Sequence, residues 1–271
     1  MNTFMMSNTD SNQWIDIGVN LSNKQFKSDQ PQVLQDAKES GVESIILTGT
    51  SVKESTLALK QAQEYGLYST AGIHPHDAKE NSTDTFKKIT SLAQDPKVVA
   101  IGETGLDFNR NFSTPEDQIA SFQKHLELAT QIQKPLFLHE RDAADQMIDM
   151  LKEFKNDLPD AVIHCFTGVK EDLIRYLDLG LYIGITGWIC DERRGFHLHE
   201  LVKIIPSDRL MIETDAPYLL PRTLTPKPKN RRNEPKYLPH IGEYIANILN
   251  KPTQQFAEET NANTKRFFKL P

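Results

Sequence analysis

Short apolar stretches rich in β-branched residues recur along the chain: WIDIGV (14–19), SIILT (44–48), YSTAGI (68–73), VVAIG (98–102), PLFLH (135–139), AVIHC (161–165), YIGIT (182–186) and LMIET (210–214). Runs of this length and composition predict β-strands. Between them lie helical patterns at Pro31–Ser40, Ser51–Tyr65, Thr83–Ala93, Pro115–Gln133, Ala143–Lys155, Lys170–Leu179, His197–Ile204 and Tyr237–Leu249. Strict alternation of the two predicts parallel strands joined by crossover helices. Eight strand-helix pairs predict an α/β fold of the (β/α)8, or TIM-barrel, type, with active groups on the loops that follow the strands. Pro252–Phe268 reads as a further helix packed on the outside.

Several boundaries carry their own chemistry. Ser51-Val-Lys-Glu54 has the form of a capping box, and Thr114-Pro115-Glu116 offers an N-cap followed by proline at the first helical position. Gly41, Gly66 and Gly180 follow helical stretches, where C-termini favour glycine. One segment breaks the rhythm after the eighth strand. Residues 221–236, PRTLTPKPKNRRNEPK, set six cations against the single acid Glu234, and their four prolines forbid a regular helix. They predict an ordered basic loop over the mouth of the barrel.

Composition narrows the class. The chain has 271 residues, 38% of them hydrophobic and 25% charged, enough to bury one large core, so residues 14–271 are expected to form a single domain. Residues 1–13 read as a disordered or extended N-terminal extension. They are polar and Met-rich, with no basic start or apolar core of a signal peptide, and no apolar run approaches the length of a bilayer. A soluble, cytoplasmic protein with no membrane partner is expected, with a monomer as the default. Cys165 and Cys190 are too few for a disulfide framework and read as small buried hydrophobes. A net charge of −6 argues against broad adhesion to nucleic acid while leaving room for a local basic groove.

Candidate chemistry sits at the strand ends. Glu103, His139, His164 and Asp215 each stand at or just beyond the end of a predicted strand, the fourth, fifth, sixth and eighth. Taken singly, such a histidine can satisfy a backbone carbonyl and such an acid can cap the next helix. Four ligand-type residues on one face of one barrel point instead to a divalent cation. His74 and His76, in GIHPH after the third strand, lie on the same face; His74 could bind a substrate phosphate or protonate a leaving oxygen, and His76 has an equal claim to a structural role.

The motifs AGIHPHD, AIGETGLDFNRNFSTPEDQ, LFLHERDA, IHCFTG, YIGITGWICDERRG and IETDAPYLLPRxLTPKPxxRRNEP resemble the TatD family of metal-dependent deoxyribonucleases from about Trp14 to the C-terminus. The resemblance implies an amidohydrolase-type barrel, divalent-metal dependence, and 3′-to-5′ exonuclease activity on DNA with a preference for single strands and some action on RNA. It places Glu103, His139, His164 and Asp215 at the family's metal positions and implies Mg²⁺, whereas two histidine ligands alone would favour Zn²⁺ or Mn²⁺. DNA repair is the family-level expectation for its role. One departure stands out: where many members read D-x-H-x-H-L on the first strand, this chain reads Asp16-Ile17-Gly18-Val19-Asn20-Leu21, so that pair of histidines is absent.

On this reading Glu103, His139 and His164 hold the main ion, Asp215 binds or orients the attacking water and accepts its proton, and a second, weaker ion arrives with the substrate. Arg141 and the basic loop, with Arg222, Arg231 and Arg232, are candidates for phosphate contacts alongside His76. Phe108, Phe166, Trp188 and Tyr218 follow strand ends and are candidates for stacking exposed bases. Two rival functions stay open: a D-aminoacyl-tRNA deacylase on the same scaffold, and a catalytically inactive nucleic-acid-binding protein that lost activity with the first-strand histidines.

Overall fold

The computed structural model describes residues 13–154 and 156–271; the expected N-terminal extension up to residue 12, and the predicted helix end at Lys155, lie outside the described residues. Eight strands form one all-parallel sheet in sequential order: β1 (Trp14–Val19), β2 (Val42–Leu47), β3 (Tyr68–Ala71), β4 (Val98–Asp107), β5 (Leu136–Arg141), β6 (Ala161–Ile163), β7 (Tyr182–Ile185) and β8 (Leu210–Ile212). The seam between β8 and β1 is closed by Asp215 N–H donating to Gly18 O at 2.9 Å and Asn20 N–H donating to Ala216 O at 2.8 Å. Around this barrel run α1 (Gln30–Glu39), α2 (Val52–Tyr65), α3 (Thr83–Ala93), α4 (Pro115–Ile132), α5 (Ala144–Glu153), α6 (Lys170–Asp178), α7 (Leu198–Leu201), α8 (Leu238–Ile248) and α9 (Thr253–Phe268). Among the described residues no helix is long and apolar enough to cross a membrane.

The helix ends form where local chemistry dictates. Ser51 Oγ accepts from Glu54 N–H at 3.2 Å and Thr114 Oγ1 accepts from Asp117 N–H at 3.2 Å, so both predicted N-caps are made. The reciprocal half of the Ser51 box gives way to another contact, because the Glu54 carboxylate turns to accept from Ser22 Oγ at 2.5 Å. Gly41, Gly66 and Gly180 take φ of 96°, 73° and 82°, the left-handed turn expected after a helix. The predicted helix 197–204 is shorter, with α7 tightening into a 3-10 turn at Val202–Ile204 ahead of Pro206.

Side chains divide into two apolar layers. One, with Ile101, Leu138, Phe122 and Ile245, fills the space between strands and helices. The other, with Ile17, Ile46, Val99, Phe137, Val162 and Met211, fills the barrel, and its N-terminal end includes Phe267 and Phe268 from the end of α9. With the bottom plugged by Phe267 and Phe268, the polar side chains singled out from the sequence gather at the C-terminal mouth, where β4 matters most. It runs five residues past its predicted end because Thr104–Asp107 pair with Leu138–Arg141 of β5. The register slips between Gly102 and Thr104, so Glu103 is an extra residue in the strand, a bulge of the kind that re-aims a side chain.

Candidate metal centre

The bulge turns Glu103 toward three imidazoles. Its Oε1 lies 2.8 Å from His164 Nε2, 3.1 Å from His139 Nδ1 and 3.2 Å from His74 Nε2. Ligating atoms of His74, Glu103 and His139 lie within 4.8 Å of one another, and His164 joins the same Glu103 oxygen. Of the predicted quartet, Glu103, His139 and His164 lie together, with His74 beside them. Asp215 stands beside them on the β8 loop, with φ of 54° and its Oδ1 accepting from Asn20 Nδ2 at 2.9 Å.

A second ring of acids, not singled out from the sequence, orients the histidines. Asp107 Oδ2 is 2.8 Å from His76 Nε2 and 3.4 Å from His139 Nε2, while its Oδ1 accepts from the backbone of Asn109 and Arg110. Fully buried Glu213 lies 3.3 Å from His164 Nδ1 and accepts from Cys165 N–H at 2.6 Å. Carboxylates behind ligating imidazoles fix ring tautomer and orientation. The third is Asp16, which braces Thr214 through N–H at 2.9 Å and Oγ1 at 2.6 Å, holding the turn into Asp215. His125 on α4 does the same for His74. Its Nε2 accepts from Ile73 N–H at 3.0 Å while Nδ1 lies 2.7 Å from Ser121 O, which requires the neutral ring with hydrogen on Nδ1. Asp107 is not legible in the sequence, since the extra residue in β4 breaks the alternation before it; Glu213 precedes Asp215 within a motif whose last acid drew attention first.

Gly18, the position of one absent histidine, has a physical counterpart. A Cβ there would run into the Glu213 carboxylate and lie 3.3 Å from Phe137 Cζ, so Glu213 fills the space that a strand-one side chain would need.

The electrostatics are those of a cluster of acids and imidazoles in a confined volume. Burial works against the Glu103 carboxylate, yet the His164 and His74 imidazoles and hydrogen bonds from His139 and His164 hold its pKa well below the usual range. His164 is disfavoured as a cation by burial and nonetheless pushed well above the ordinary imidazole value by Glu103 and Glu213. Burial, joined by Glu213 and Glu103 and opposed by His164, raises Asp215 to about 8. Asp16 is raised to about 7 by burial against its bonds from Thr214.

This donor set fits a divalent cation. Carboxylate and imidazole are the ligand types such ions take, and His139 Nε2 is a buried ring nitrogen without a hydrogen-bond partner of sound geometry among the described residues. An ion would also compensate the negative charge that now lifts Asp215.

The other predicted residues are placed as follows. His76 is one-third exposed, with Phe112 packed edge-on at 4.8 Å. Arg141 and Arg231 are exposed, without an ion pair among the described residues. Arg222 is tied to Glu192 at 3.3 Å, and Arg232 lies over the Phe26 ring with Asp29 at 2.7 Å and Glu234 at 2.9 Å. These pairs, with Asn233 Nδ2 donating to Thr214 O and Tyr218 O, fasten the basic loop to β8 and α1. Among the aromatics, Phe166 is buried, Phe108 and Trp188 pack against the core, and Tyr218 is 49% exposed.

A parallel barrel with His and Glu gathered at its C-terminal mouth has the architecture of the amidohydrolase-type TIM-barrel hydrolases, with a cluster suited to a divalent cation. The profile of the family described as "TatD related DNase" matches residues 15–269, and this chain belongs to that family. It is 52% identical over 254 residues to the "3′-5′ ssDNA/RNA exonuclease TatD" of Klebsiella pneumoniae (strain 342), covering 93% of this chain and 97% of that protein. The protein of the same name from Escherichia coli (strain K12) is 50% identical over 254 residues, covering 93% and 98%. A crystal structure of a TatD family hydrolase from Entamoeba histolytica superposes with a TM-score of 0.88 at 27% identity, covering 96% of this chain and 99% of that one.

Proposed function

We propose that this chain is a metal-dependent exonuclease that hydrolyses phosphodiester bonds from the 3′ end of single-stranded DNA, and of RNA, with Mg²⁺ as its ion. The observation that carries the proposal is the convergence of His74, His139 and His164 on one oxygen of Glu103 at the barrel mouth, in a chain half identical to proteins named for this activity. Glu103, His139 and His164 would hold the ion, with His74 and Asp215 at its edge. A divalent cation there supplies charge neutralisation on the nonbridging phosphate oxygens and acidifies water. Asp215 would orient the attacking water and accept its proton once the positive charge of a bound ion favours its anionic form over the protonated one that burial favours without it. His74, whose Nε2 lies 3.2 Å from the same Glu103 oxygen, would contact the phosphate or hand a proton to the departing 3′ oxygen, the second role working against the burial that lowers its pKa. Arg141, Arg231 and His76 would contact neighbouring phosphates, whereas Arg222 and Arg232 would have to exchange their present partners to do so.

The test is digestion of a 5′-labelled single strand after chelation and with Mg²⁺, Mn²⁺ or Zn²⁺ restored. A metal-dependent ladder shortening from the 3′ end is expected, lost in Glu103→Ala and Asp215→Ala. Cleavage of an aminoacyl ester with the polynucleotide left intact would replace this reading by a deacylase. Inactivity with every ion would reduce the chain to a binding protein.

A further inference from the structure

A cavity of about 640 Å³ opens beside the centre, between the loop after β1 and the start of α2. Its walls include Lys24, Lys27, Lys53, Asn20, Thr50 and Tyr218. Two of these walls are bonded to the centre itself: Asn20 Nδ2 donates to Asp215 Oδ1 at 2.9 Å, and Thr50 O accepts from His74 N–H at 2.8 Å. The cavity therefore lies directly against the mouth of the barrel.

The charge in this cavity is positive and available. Lys24 and Lys27 are exposed and have no acidic partner among the described residues, whereas Arg222 and Arg232 of the basic loop are both paired. The one acid in the lining, Glu54, accepts from Ser22 Oγ and lies 3.4 Å from Lys53. The fourteen-residue α2 begins at this wall, so its positive dipole end adds to the lysines. Tyr218 offers a half-exposed ring whose hydroxyl is held by Asn23 Nδ2 at 2.9 Å, and the carboxamide oxygen of Gln61, also in the lining, is buried without a partner. Cations spaced along a cleft, a tethered aromatic ring and an unsatisfied acceptor are what a single strand needs: phosphates, base faces and base or sugar donors.

We propose that this cleft is the track of the nucleic-acid strand upstream of the bond being cut, with Lys24, Lys27 and Lys53 contacting successive phosphates and Tyr218 stacking on a base. The proposal rests on the exonuclease reading and deepens it, since a duplex presents no base face to Tyr218 and the preference for single strands follows.

The experiment is fluorescence anisotropy of a 5′-labelled oligothymidylate of twelve residues in chelator, so that binding is read without turnover. Lys24→Glu/Lys27→Glu/Lys53→Glu is expected to weaken binding about tenfold or more at low salt and to lower the slope of log affinity against log salt by about 2, the loss of three single-strand phosphate contacts. Tyr218→Leu is expected to weaken binding by about fivefold or more with the slope unchanged. Thermal melting and near-ultraviolet circular dichroism check that the variants fold; should the triple variant fail to, each single Lys→Gln is expected to lower the slope by about 0.7. Wild-type affinity and slope in these variants would overturn the track. If oligonucleotide binds with this lysine dependence while the digestion assay shows no cleavage with any metal, the track stands and the exonuclease reading falls; the converse pattern removes the track and leaves the exonuclease.

Discussion

His125 shows how a residue that touches no candidate ligand can govern the centre. It accepts from Ile73 N–H, one residue before His74, and a protonated ring could not. Burial, against the bond to Ser121 O, lowers its pKa from 6.5 to about 4. The unfolded chain therefore takes up a proton at this site below about 6.5, the folded chain only below about 4. The stability contributed by the neutral ring is complete above pH 6.5 and drains away as the pH falls toward 4, by on the order of 3 kcal/mol. Urea denaturation between pH 7 and 4 should show the stability gap between wild type and His125→Gln, which is less stable at pH 7, narrowing as the pH falls; identical pH slopes would exclude the assignment. Asp16 has the opposite sign. Its folded pKa of about 7 lies above the ordinary carboxylate value, so its buried carboxyl costs stability as pH rises from 3.8 through 7, and over that window it offsets what His125 gains.

At the level of elements, most of the scaffold was legible and the decisive irregularity was not. β-branched runs and their helical intervals marked all eight strands, β1 and α3 to the residue, because parallel strands buried on both faces and amphipathic crossovers leave strong periodic signatures. The strand-end rule then brought Glu103, His139, His164 and His74 to one mouth. What alternation could not carry is the bulge in β4, and with it Asp107, since one extra residue reverses the facing of everything after it. Two glycines permit that geometry. Gly102 has φ of 144° and Gly105 φ of 137°, and a Cβ on Gly105 would collide with His139 O. Gly105→Ala must strain its own backbone and push away the carbonyl of a candidate ligand, at a cost of about 2–4 kcal/mol. Gly66 also has a positive φ, 73°, but has nothing within 4 Å of a built Cβ, so Gly66→Ala should cost only about 1 kcal/mol. Chemical denaturation measures both, and calorimetric titration with Mn²⁺ is expected to show weaker binding in Gly105→Ala alone. Equal costs in the two variants would mean that the β4–β5 contact is not what demands glycine.

Across the whole molecule, the barrel separates the groups that hold it together from the groups that gather at its mouth. At the N-terminal end α9 inserts Phe267 and Phe268 against Tyr182, with the Phe267 and Tyr182 rings 5.0 Å apart and Arg266 Nε donating to the Tyr182 hydroxyl at 3.1 Å. Phe267 is fully buried, and no smaller side chain could fill the barrel floor. Removing its ring leaves a cavity among Tyr182, Phe268 and the lowest strand residues, which should cost about 3–5 kcal/mol and lower Tm by about 10 °C. The mouth lies at the other end of the strands, with the Ile17, Phe137 and Val162 layer between. Because that layer is close-packed and its strands are pinned by seven parallel ladders, the loss at the floor is expected to lower global stability without changing divalent-metal affinity measured well below Tm. Glu103→Gln should do the reverse: metal affinity falls sharply, and the stabilisation that a saturating ion gives the wild type, about 2.7 kcal/mol at one hundred times Kd, disappears from the melting curve. A double variant then separates the two ends of the barrel, since sites this far apart without shared partners add. Additive shifts in Tm, with metal affinity set by residue 103 alone, are the expected result; a metal affinity that also falls in Phe267→Ala would show that the floor of the barrel positions the mouth.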